Sequence, residues 1–466
     1  MAGTSLVGGS RRRHLATYRP RMIAHLTARR RPRPLETAIV AILNASIAGC
    51  GPAVLPPSPS GSAEGAAPTP PAATSVSASP GSAAASTVLP TVPSGRPLPQ
   101  TSRLRPPLPS AALQRRLDAI RARRGIPGMA VTIRWLDGEE WTGTTGVADA
   151  TTDVPVTRDT AFALGSVSKT YTAAVGLLLV ESGRLDLDAP VATLLPDLLL
   201  DPRITVRMLF DHTSGLADYF LDPRIDPALQ GDPDAAWDLR RSFRYVRDPV
   251  AAPGEAFFYS NTNYLLLGEL IEVVTGEPLA AVVRERLLEP LGLAETWTQV
   301  DERPLVPTAR GHRVRGSRTA PQVRVVGSPD GLMPFRSVLT AAGGAGAMAS
   351  TSRDAARWIE ALAGRDVLGR ATRAAMRADA LATAALGARV PYGLGIQVER
   401  LLGREAVGHT GRLLGFRSFV RYLPDEGISI AILMNENGVD PAPIARSLLR
   451  LVLPARPDCP TCPEVR

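Results

Sequence analysis

The stretch from Ala173 to Val180 constrains the fold more than any other part of the chain. It contains no polar side chain, so as a helix it would present an apolar surface in every direction. Such a helix is stable only when other elements cover it on all sides. The chain has 466 residues, of which 44% are hydrophobic, so it is long enough to supply that cover. We therefore expect a large globular domain built around this helix.

A serine and a lysine with potential chemical roles lie shortly before this stretch, in the segment Gly165-Ser166-Val-Ser-Lys169. Ser166 and Lys169 are three residues apart, so they share one face of the predicted helix. Ser166 would occupy the first turn, where free backbone N–H groups favour negative charge. A serine hydroxyl becomes a nucleophile only beside a base or a cation that stabilises its anion. Because this helix is too apolar for a solvated surface, the pair predicts a serine nucleophile activated by Lys169.

Lys169 is the only lysine in the chain, and all other basic side chains apart from histidine are arginine. Arginine serves a surface role as well as lysine does, but an always-charged guanidinium cannot exchange protons in a site. A composition bias that spared one lysine by chance is the alternative interpretation. The position of Lys169 beside a candidate nucleophile favours the catalytic one.

A second motif, Tyr259-Ser-Asn261, follows the serine by 93 residues and lies in a loop before a predicted helix. A phenol beside an ammonium group has a lowered pKa. Tyr259 is therefore predicted to act as general base towards the serine and as acid towards the leaving group. Asn261 is predicted to hold Lys169 and a substrate amide together. Taken alone, the tripeptide is equally typical of a capping turn with a packed tyrosine.

A third motif, Gly408-His-Thr-Gly411, begins shortly before two predicted strands. The Thr410 hydroxyl is predicted to bind a substrate carboxylate, and Gly411 to let a substrate backbone approach a strand edge. The backbone N–H of Arg412 is a candidate oxyanion donor together with that of the nucleophile. If His409 must be neutral, the reaction rate should rise through a group that titrates near neutral pH. Taken alone, the motif is typical of a turn with a surface histidine.

Both ends of the folded region are predicted to contribute a helix and antiparallel strands to one sheet. The predicted elements are helices over 110–124 and 442–453 and strands over 129–135, 140–148, 418–423 and 428–434. Residues from about 186 to 340 have helical periodicity and loops, so they are predicted to form a mainly helical lobe inserted between the two halves. The expected fold class is α+β, with an antiparallel sheet flanked by helices and a site in the cleft between the lobes.

The order and spacing of the three motifs resemble those of the serine beta-lactamase and D-alanyl-D-alanine carboxypeptidase superfamily, in its class C-like, penicillin-binding-protein-like branch. The similarity covers residues 110–455. Three further patches are similar to that family, namely 209–216, 343–346 and 392–395. The resemblance implies a beta-lactamase/transpeptidase-like fold, an acyl-enzyme on Ser166 and no metal or other cofactor. It also implies the roles given above to the residues of the three motifs.

Two departures from the family pattern concern the substrate. His409 stands where many relatives have lysine, which resembles the carboxypeptidase variant and some esterase-like members. Some of those carboxypeptidases place an arginine just after the 392–395 patch to hold a terminal carboxylate, but Gln397 stands there, and Arg412 is a candidate substitute. No Glu-x-x-x-Asn segment marks a separate deacylating base, so efficient beta-lactam hydrolysis is not expected.

The leading functional hypothesis is hydrolysis of a D-alanyl-D-alanine peptide of the cell wall. Three alternatives remain open. They are an esterase, a D-amino-acid amidase of the same family, and a catalytically silent surface lipoprotein that binds peptidoglycan. The physiological substrate and the oligomeric state do not follow from the sequence.

The first 49 residues are predicted to be an export signal of the lipoprotein type. Arginines between positions 29 and 33 precede an apolar run over 37–49 that is too short to span a bilayer. The run ends in Ile47-Ala-Gly-Cys50, which resembles a bacterial lipobox. Cys50 is therefore predicted to carry a lipid that anchors the protein at the outer face of the cytoplasmic membrane. A plain cleaved signal followed by secretion is the alternative, and translation from Met22 would give a signal of conventional length.

The segments around the folded domain have distinct compositions. Residues 50–109 are rich in proline, serine and alanine, which predicts a disordered tether. Residues 1–33 hold nine arginines and no acid, and the rest of the chain has 44 basic against 44 acidic residues, so a nucleic-acid partner is not expected. In the tail over 456–466, a local disulfide between Cys459 and Cys462 is compatible with an oxidising compartment, but whether it forms does not follow from the sequence; no redox or zinc chemistry is expected there.

Overall fold

The computed structural model describes residues 108–317, 320–328, 330–364 and 366–454. The predicted export signal, the lipidation site Cys50, the tether and the tail with Cys459 and Cys462 lie outside these residues. Within the described ranges, no helix combines the length and the apolar character that crossing a membrane requires.

Strands and α-helices alternate irregularly along the described residues. The strands are β1 (Gly128–Trp135), β2 (Glu140–Asp149), β3 (Val154–Pro155), β4 (Phe162–Ala163), β5 (Thr296–Thr298), β6 (Gly311–Ser317), β7 (Ala320–Val326), β8 (Met348–Ser350), β9 (Gln397–Leu401), β10 (Arg404–Leu413), β11 (Phe416–Leu423) and β12 (Ile428–Met434). The helices are α1 (Ser110–Arg124), α2 (Ser168–Glu181), α3 (Val191–Leu194), α4 (Val206–Phe210), α5 (Ile225–Gly231), α6 (Leu239–Phe243), α7 (Asn261–Thr275), α8 (Leu279–Val283), α9 (Arg336–Ala342), α10 (Ser352–Ala363), α11 (Arg370–Ala385) and α12 (Ala442–Leu449).

Seven strands form the main sheet in the order β3-β2-β1-β12-β11-β10-β9, and every neighbouring pair is antiparallel. The N-terminal and C-terminal strands meet at the β1–β12 pair, where Val131 lies opposite Ile432. The predicted single sheet built from both ends of the domain is therefore confirmed. The short edge strand β9, which no sequence pattern indicated, extends the sheet beside β10.

The side chains of β1 alternate between two apolar layers, as the pleat of a strand requires. Met129, Val131 and Ile133 pack in the layer that α1 and α12 also line. Ala130 and Thr132 point to the opposite face, where α10 covers the sheet and the Thr132 hydroxyl lies 2.9 Å from the Ser352 hydroxyl. The sheet is thus covered by helices on both faces.

Helix α1 has the predicted bounds. It buries Leu113, Leu117 and Ile120, which the i, i+4, i+7 spacing placed on one face. Gly125 ends the helix in the left-handed conformation, with a φ of 66°. Ser110 is the first helical residue, and the capping position before it falls on Pro109.

The region from about 186 to 340 contains helices α3 to α9 and one π-helical turn, Arg284–Leu288, as a mainly helical lobe would. It also contains strands that the sequence did not predict. Strand β5 completes a three-stranded sheet in the order β4-β8-β5, and β6 and β7 form a separate hairpin. The hairpin sequence has few valines among its glycines, arginines and other polar residues, so its alternation is too short to be recognised as two strands.

Helix α2 runs through the centre of the molecule, and every residue from Ser168 to Leu179 is buried. The ring of Tyr171 stacks on that of Trp358 in α10 at a centroid distance of 3.9 Å. The Trp358 indole N–H also donates to the Thr170 hydroxyl at 2.8 Å. The predicted burial of this helix on all sides is confirmed, and it gives the residues at its N-terminal end a rigid support.

Candidate active site

Ser166 lies in a single 3-10 turn, Gly165–Val167, directly before α2. The sequence predicted Ser166 in the first turn of the helix, but Ser166 lies just outside the α-helix. Gly165 has a φ of 52°, and a Cβ atom there would lie 2.9 Å from the backbone nitrogen and oxygen of Arg412. Glycine thus allows the nucleophile turn to contact the backbone of β10 directly.

Gly411 contributes to the same contact from the side of the strand. A Cβ atom at this position would lie 1.9 Å from the Leu164 carbonyl oxygen and 2.1 Å from the Ser418 Oγ. The Ser418 hydroxyl donates to that same carbonyl at 2.7 Å. The nucleophile turn therefore occupies the space that a Gly411 side chain would need, and the predicted role of Gly411 in admitting a substrate backbone at the strand edge stays a prediction. The third motif also lies within β10 and not in a turn before a strand pair.

Lys169 is fully buried and its amine contacts three oxygen atoms. Its Nζ lies 3.1 Å from the Ser166 Oγ, 2.7 Å from the Asn261 Oδ1 and 2.8 Å from the Ala345 carbonyl oxygen. Burial lowers the pKa of Lys169 to about 7, and the negative charge of Asp218 partly opposes that shift. A large fraction of this amine is therefore neutral at physiological pH, so it is able to accept the serine proton.

Tyr259 is buried beside the same amine, with its ring centroid 5.2 Å from the Lys169 Nζ. Burial raises the pKa of Tyr259 above its ordinary value, and a hydrogen bond with Ser166 opposes this shift only in part. The expected lowering of the Tyr259 pKa is therefore wrong. The neighbouring amine loses its charge near pH 7, so it does not favour a phenolate strongly enough to offset burial. The structure favours Lys169 as the base and Tyr259 as a neutral proton donor.

Asn261 is the first residue of α7 and lies beside Lys169, as predicted. Its Oδ1 accepts the contact with the amine, while its Nδ2 donates to the Asp218 Oδ2 at 2.8 Å. A role in holding a substrate amide stays a prediction.

His409 is buried in the cleft and not exposed on a turn. Its Nδ1 lies 2.6 Å from the Thr410 carbonyl oxygen, and its Nε2 lies 2.9 Å from the Tyr392 hydroxyl. Because a carbonyl only accepts, Nδ1 is assigned the proton and Nε2 accepts from the tyrosine. Burial and the nearby Lys169 hold the pKa of His409 well below its ordinary value. His409 is therefore neutral at physiological pH, and the group that titrates near pH 7 is the lysine.

Gln397 links Thr410 of the third motif to Arg421 in β11. Its Oε1 accepts from the backbone N–H of Thr410 at 3.1 Å, from the Thr410 hydroxyl at 3.2 Å and from the Arg421 guanidinium at 2.8 Å. Arg421 is buried and forms an ion pair with Glu399 at 2.6 Å. The position where some carboxypeptidases have an arginine thus contacts an arginine of β11 instead.

The orientation of β10 bears on the predicted oxyanion site. The Thr410 N–H points away from β11 towards Gln397, so the N–H of Arg412, two residues further on, points to the same side of the strand. Pairing with β9 ends at Gly408, and the Arg412 backbone lies against Gly165 at the nucleophile turn. This geometry is compatible with oxyanion binding by the backbone N–H groups of Ser166 and Arg412.

A cavity of about 390 Å³ begins at Tyr259 and Thr410 and extends along the wall formed by β10 and β11. Its charged lining residues are Arg389, Arg412, Arg417, Arg421, Glu399 and Asp440. Arg412 and Arg417 are directly opposite each other on the two strands. Burial, with repulsion from Arg417, lowers the pKa of Arg412 to about 10, which leaves it cationic at neutral pH. We call this region the arginine cavity.

Four contributors to the site were not assigned a role from the sequence. His212 lies with its ring centroid 4.2 Å from that of Tyr259 and accepts the Ser260 N–H through Nδ1 at 3.2 Å. The Ala345 carbonyl contacts Lys169, and the Tyr392 hydroxyl contacts His409, as described above. These three belong to the patches that resemble the family, so a signal for their importance existed but none for their function. Asp218 follows the first patch and had no signal.

A buried serine in contact with a lysine of lowered pKa and a neutral phenol, beside a pocket, is the arrangement of a serine hydrolase. The chain belongs to the beta-lactamase family, because the family model Beta-lactamase matches residues 113–453.

Relatives of this chain have several related names. Penicillin-binding protein 4 of Amycolatopsis lactamdurans is 32% identical over 347 residues, which are 71% of this chain and 86% of that protein. A D-aminopeptidase of Brucella anthropi is 31% identical over 325 residues, which are 69% of this chain and 57% of that protein. The chain thus spans less than two thirds of that aminopeptidase.

Solved structures with the same fold have names that refer to D-amino acids. A D-stereospecific amidohydrolase from Streptomyces sp. has a TM-score of 0.61 and 30% identity, with 74% of this chain and 98% of that chain covered. D-amino acid amidase from Ochrobactrum anthropi SV3 complexed with D-phenylalanine has a TM-score of 0.61 and 27% identity, with 73% and 98% covered. The predicted beta-lactamase/transpeptidase-like fold is confirmed by these comparisons.

Proposed function

We propose that the protein hydrolyses the peptide bond that follows a D-amino-acid residue and releases an amino acid or peptide with a free carboxylate, as in a D-alanyl-D-alanine peptide of the cell wall. The names of the relatives support the D configuration. The arginine cavity supports the carboxylate. The arginine cavity is the observation that separates this proposal from its alternatives.

The proposed reaction uses Lys169 and Tyr259 to move one proton. The neutral Lys169 amine takes the proton of Ser166 while its Oγ attacks the substrate carbonyl carbon. The backbone N–H groups of Ser166 and Arg412 stabilise the oxyanion. Tyr259 gives its proton to the leaving nitrogen, which breaks the peptide bond and leaves the acyl-enzyme, and the lysine ammonium restores the phenol. Water then attacks the acyl carbon by the same steps in reverse.

The arginine cavity starts beside the catalytic tyrosine, so it can hold the part of a substrate that leaves. Arg389, Arg412 and Arg417 line it together with Asp440, and the buried Glu436 also acts electrostatically on Arg412 and Arg417. Arg421 is paired with Glu399. A carboxylate placed among these guanidiniums would form charge-assisted hydrogen bonds, which are stronger than those between neutral groups. A substrate whose leaving group has no charge would gain nothing from them.

A D-amino-acid amidase is the second candidate, and the solved structures favour it by their names. Such an enzyme releases ammonia, which has no carboxylate. It would therefore leave the arginine cavity without a function in catalysis. An esterase would differ from both in its leaving group, and nothing in the site favours it specifically.

The test compares three substrates with purified full-length protein. They are an N-acylated D-alanyl-D-alanine with a free carboxylate, the same peptide with a C-terminal amide, and D-phenylalanine amide. We expect kcat/KM for the free acid to exceed that for its amide by about 10-fold or more, as one charge-assisted contact would give. Faster turnover of D-phenylalanine amide than of both peptides would replace the proposal by the amidase.

A second measurement tests the nucleophile itself. A fluorophosphonate should add its mass to Ser166, and Ser166→Ala should take up none. Ser182→Ala, the same change at the C-terminal end of α2, is the matched control and should be labelled like the wild type. If the wild type takes up neither a fluorophosphonate nor a penicillin and turns over no p-nitrophenyl ester, the chain is a non-catalytic binding protein instead.

We also propose that a lipid on Cys50 anchors the protein outside the cytoplasmic membrane, as the lipobox-like segment indicates. Cells grown with a clickable palmitate analogue should label the wild type. Cys50→Ser should remove the label, whereas Cys459→Ser should keep it. A wild type that is exported without a label would support a plain cleaved signal and secretion.

A further inference from the structure

Asp218 is a buried carboxylate that reaches the catalytic lysine through one intermediate side chain. Its Oδ2 accepts from the Asn261 Nδ2 at 2.8 Å, and the Asn261 Oδ1 lies 2.7 Å from the Lys169 Nζ. Its Oδ1 accepts the backbone N–H of Phe220 at 3.0 Å, which fixes the carboxylate on the 3-10 turn Tyr219–Leu221. Asp218, Asn261 and Lys169 are all buried, so water does not screen the interaction between the carboxylate and the amine.

The carboxylate determines which way the Asn261 amide faces. An ionised carboxylate only accepts hydrogen bonds, so the amide must direct its NH2 group to Asp218 and its oxygen to Lys169. The Ala345 carbonyl is a second acceptor for the same amine, at 2.8 Å. A neutral amine has two N–H donors and one lone pair. With both donors directed to carbonyl oxygens, the lone pair is left for Ser166 at 3.1 Å, which is the arrangement that proton transfer needs.

Several titratable groups from different elements surround the lysine. They are Tyr259, Tyr264, His212, His409 and Asp218. Burial raises the pKa of both tyrosines and lowers the pKa of both histidines, so these four are neutral near pH 7. The negative charge of Asp218 is the influence that raises the pKa of Lys169 against the effect of burial.

We propose that Asp218 is a positioning residue, which fixes the Asn261 amide so that Lys169 directs its lone pair at Ser166. The proposal rests on the proposed serine chemistry and adds a residue to it. Without the carboxylate, the Asn261 amide can rotate and direct its NH2 group at the amine. The lysine would then direct a proton and not its lone pair at the serine.

The experiment measures the second-order rate of Ser166 labelling by a fluorophosphonate between pH 5 and pH 9, so it needs no knowledge of the substrate. Asp218→Asn should lower the plateau rate by about 10-fold or more. It should also move the midpoint of the acidic limb about one pH unit down, because loss of the negative charge lowers the pKa of the lysine. Asp222→Asn is the control, since Asp222 is buried on the same segment but pairs with Arg224 and Arg247. It should leave both values unchanged.

An exchange variant, Asp218→Asn with Asn261→Asp, covers the case in which the single variant does not fold. It keeps a carboxylate–amide hydrogen bond and the total charge, but it places the charge directly beside Lys169. The midpoint should therefore move to higher pH than in the wild type. A wild-type midpoint in the exchange variant, or a wild-type plateau and midpoint in Asp218→Asn, would overturn this inference alone. A wild type that takes up no label would overturn the proposed function and this inference with it.

Discussion

The two ends of the cleft differ in whether their ionisable side chains are neutral or charged at neutral pH. At one end Lys169, Tyr259 and His409 are buried, and burial shifts the pKa of each towards its neutral form. At the other end Arg417 is buried and Arg412 is half-buried, and they lie opposite each other on adjacent strands, yet both remain cationic at neutral pH. At the end that contains the nucleophile, Asp218 is the charge that acts on Lys169, whereas several charged side chains lie together in the arginine cavity.

The difference follows from what each side chain is able to do. A lysine loses its proton when it is buried, so burial turns it into a base, whereas a guanidinium keeps its charge in almost every environment. The chain has one lysine, and that lysine lies at the catalytic end. Proton transfer and anion binding are therefore assigned to different residue types, which makes the two ends separable by substitution.

The largest expected effect comes from exchanging the two residue types. Lys169→Arg keeps a cation beside Ser166 but cannot release its proton, so kcat/KM should fall by about 10³-fold or more. The reverse exchange, Arg412→Lys in the arginine cavity, keeps the charge and should change kcat/KM by only a few-fold. Steady-state kinetics on the free-acid peptide measures both. An active Lys169→Arg enzyme would show that the lysine acts as a charge and not as a base.

Gly411→Ala tests the contact that holds the catalytic end against β10. The added Cβ would lie 1.9 Å from the Leu164 carbonyl oxygen, so the nucleophile turn must move. We expect a loss of about 100-fold in kcat/KM, because a displaced nucleophile loses alignment with the oxyanion donors. Gly231→Ala is the control, since nothing lies within 4 Å of its new Cβ, and it should keep wild-type activity. Unchanged activity in Gly411→Ala would contradict the packing role of this glycine.

Much of the fold was accessible from the sequence because its patterns are local. The spacing of Leu113, Leu117 and Ile120 predicted α1, and the apolar run from Ala173 to Val180 predicted a buried central helix; both are present. The hairpin over Gly311–Val326 was missed, because its apolar residues are few and its alternation extends over only a few positions. Its pairing depends on tertiary contacts that no local pattern records.

The site was predictable in its residue types and less so in its protonation. The three motifs place Ser166, Lys169, Tyr259 and Asn261 together, because each motif carries chemically distinctive side chains. The direction of the Tyr259 pKa was wrong, since it depends on burial, and burial follows from the whole fold. Asp218 was missed because a carboxylate in a loop has no special spacing in the sequence.

The pH dependence sharpens the comparison, because only the catalytic end should titrate near neutrality. The pKa of Lys169 is about 7, and its neutral form is the active base, so kcat/KM should fall about tenfold per pH unit below 7 and level off above it. In His409→Gln the midpoint should stay in place, because the pKa of His409 is well below its ordinary value. A midpoint that disappears in this variant would reassign the titration to the histidine.

Substitution in the arginine cavity should affect recognition and leave proton transfer intact. Arg412→Gln removes the guanidinium but keeps the backbone N–H, so we expect KM for the free-acid peptide to rise about 10-fold with little change in kcat. The C-terminal amide of the same peptide is the matched control and should be turned over as by the wild type. Equal effects on the acid and the amide would mean that Arg412 acts through the fold and not through a substrate carboxylate.

The smallest effect concerns stability behind the catalytic end. Asp211 lies next to His212, and burial raises its pKa to about 6, against the opposing hydrogen bonds from Thr213. A carboxyl group whose folded-state pKa is raised contributes stability that is complete below its unfolded pKa and is lost as the pH rises through 6. Asp211→Asn keeps the acceptor for Thr213 and avoids the buried charge. It should therefore gain about 1–3 kcal/mol in the free energy of unfolding at pH 8 and almost nothing at pH 4.

Denaturant unfolding at the two pH values measures that gain, and Asp201→Asn is its control. Asp201 is half-buried, and hydrogen bonds with Arg203 lower its pKa to about 2, so its removal should bring no gain at pH 8. If Asp211→Asn gained the same amount at pH 4 and pH 8, the effect would not be the removal of a charge. Buried charge would then be tolerated around the catalytic end. The difference in charge between this end and the arginine cavity would hold only for the residues that contact Ser166.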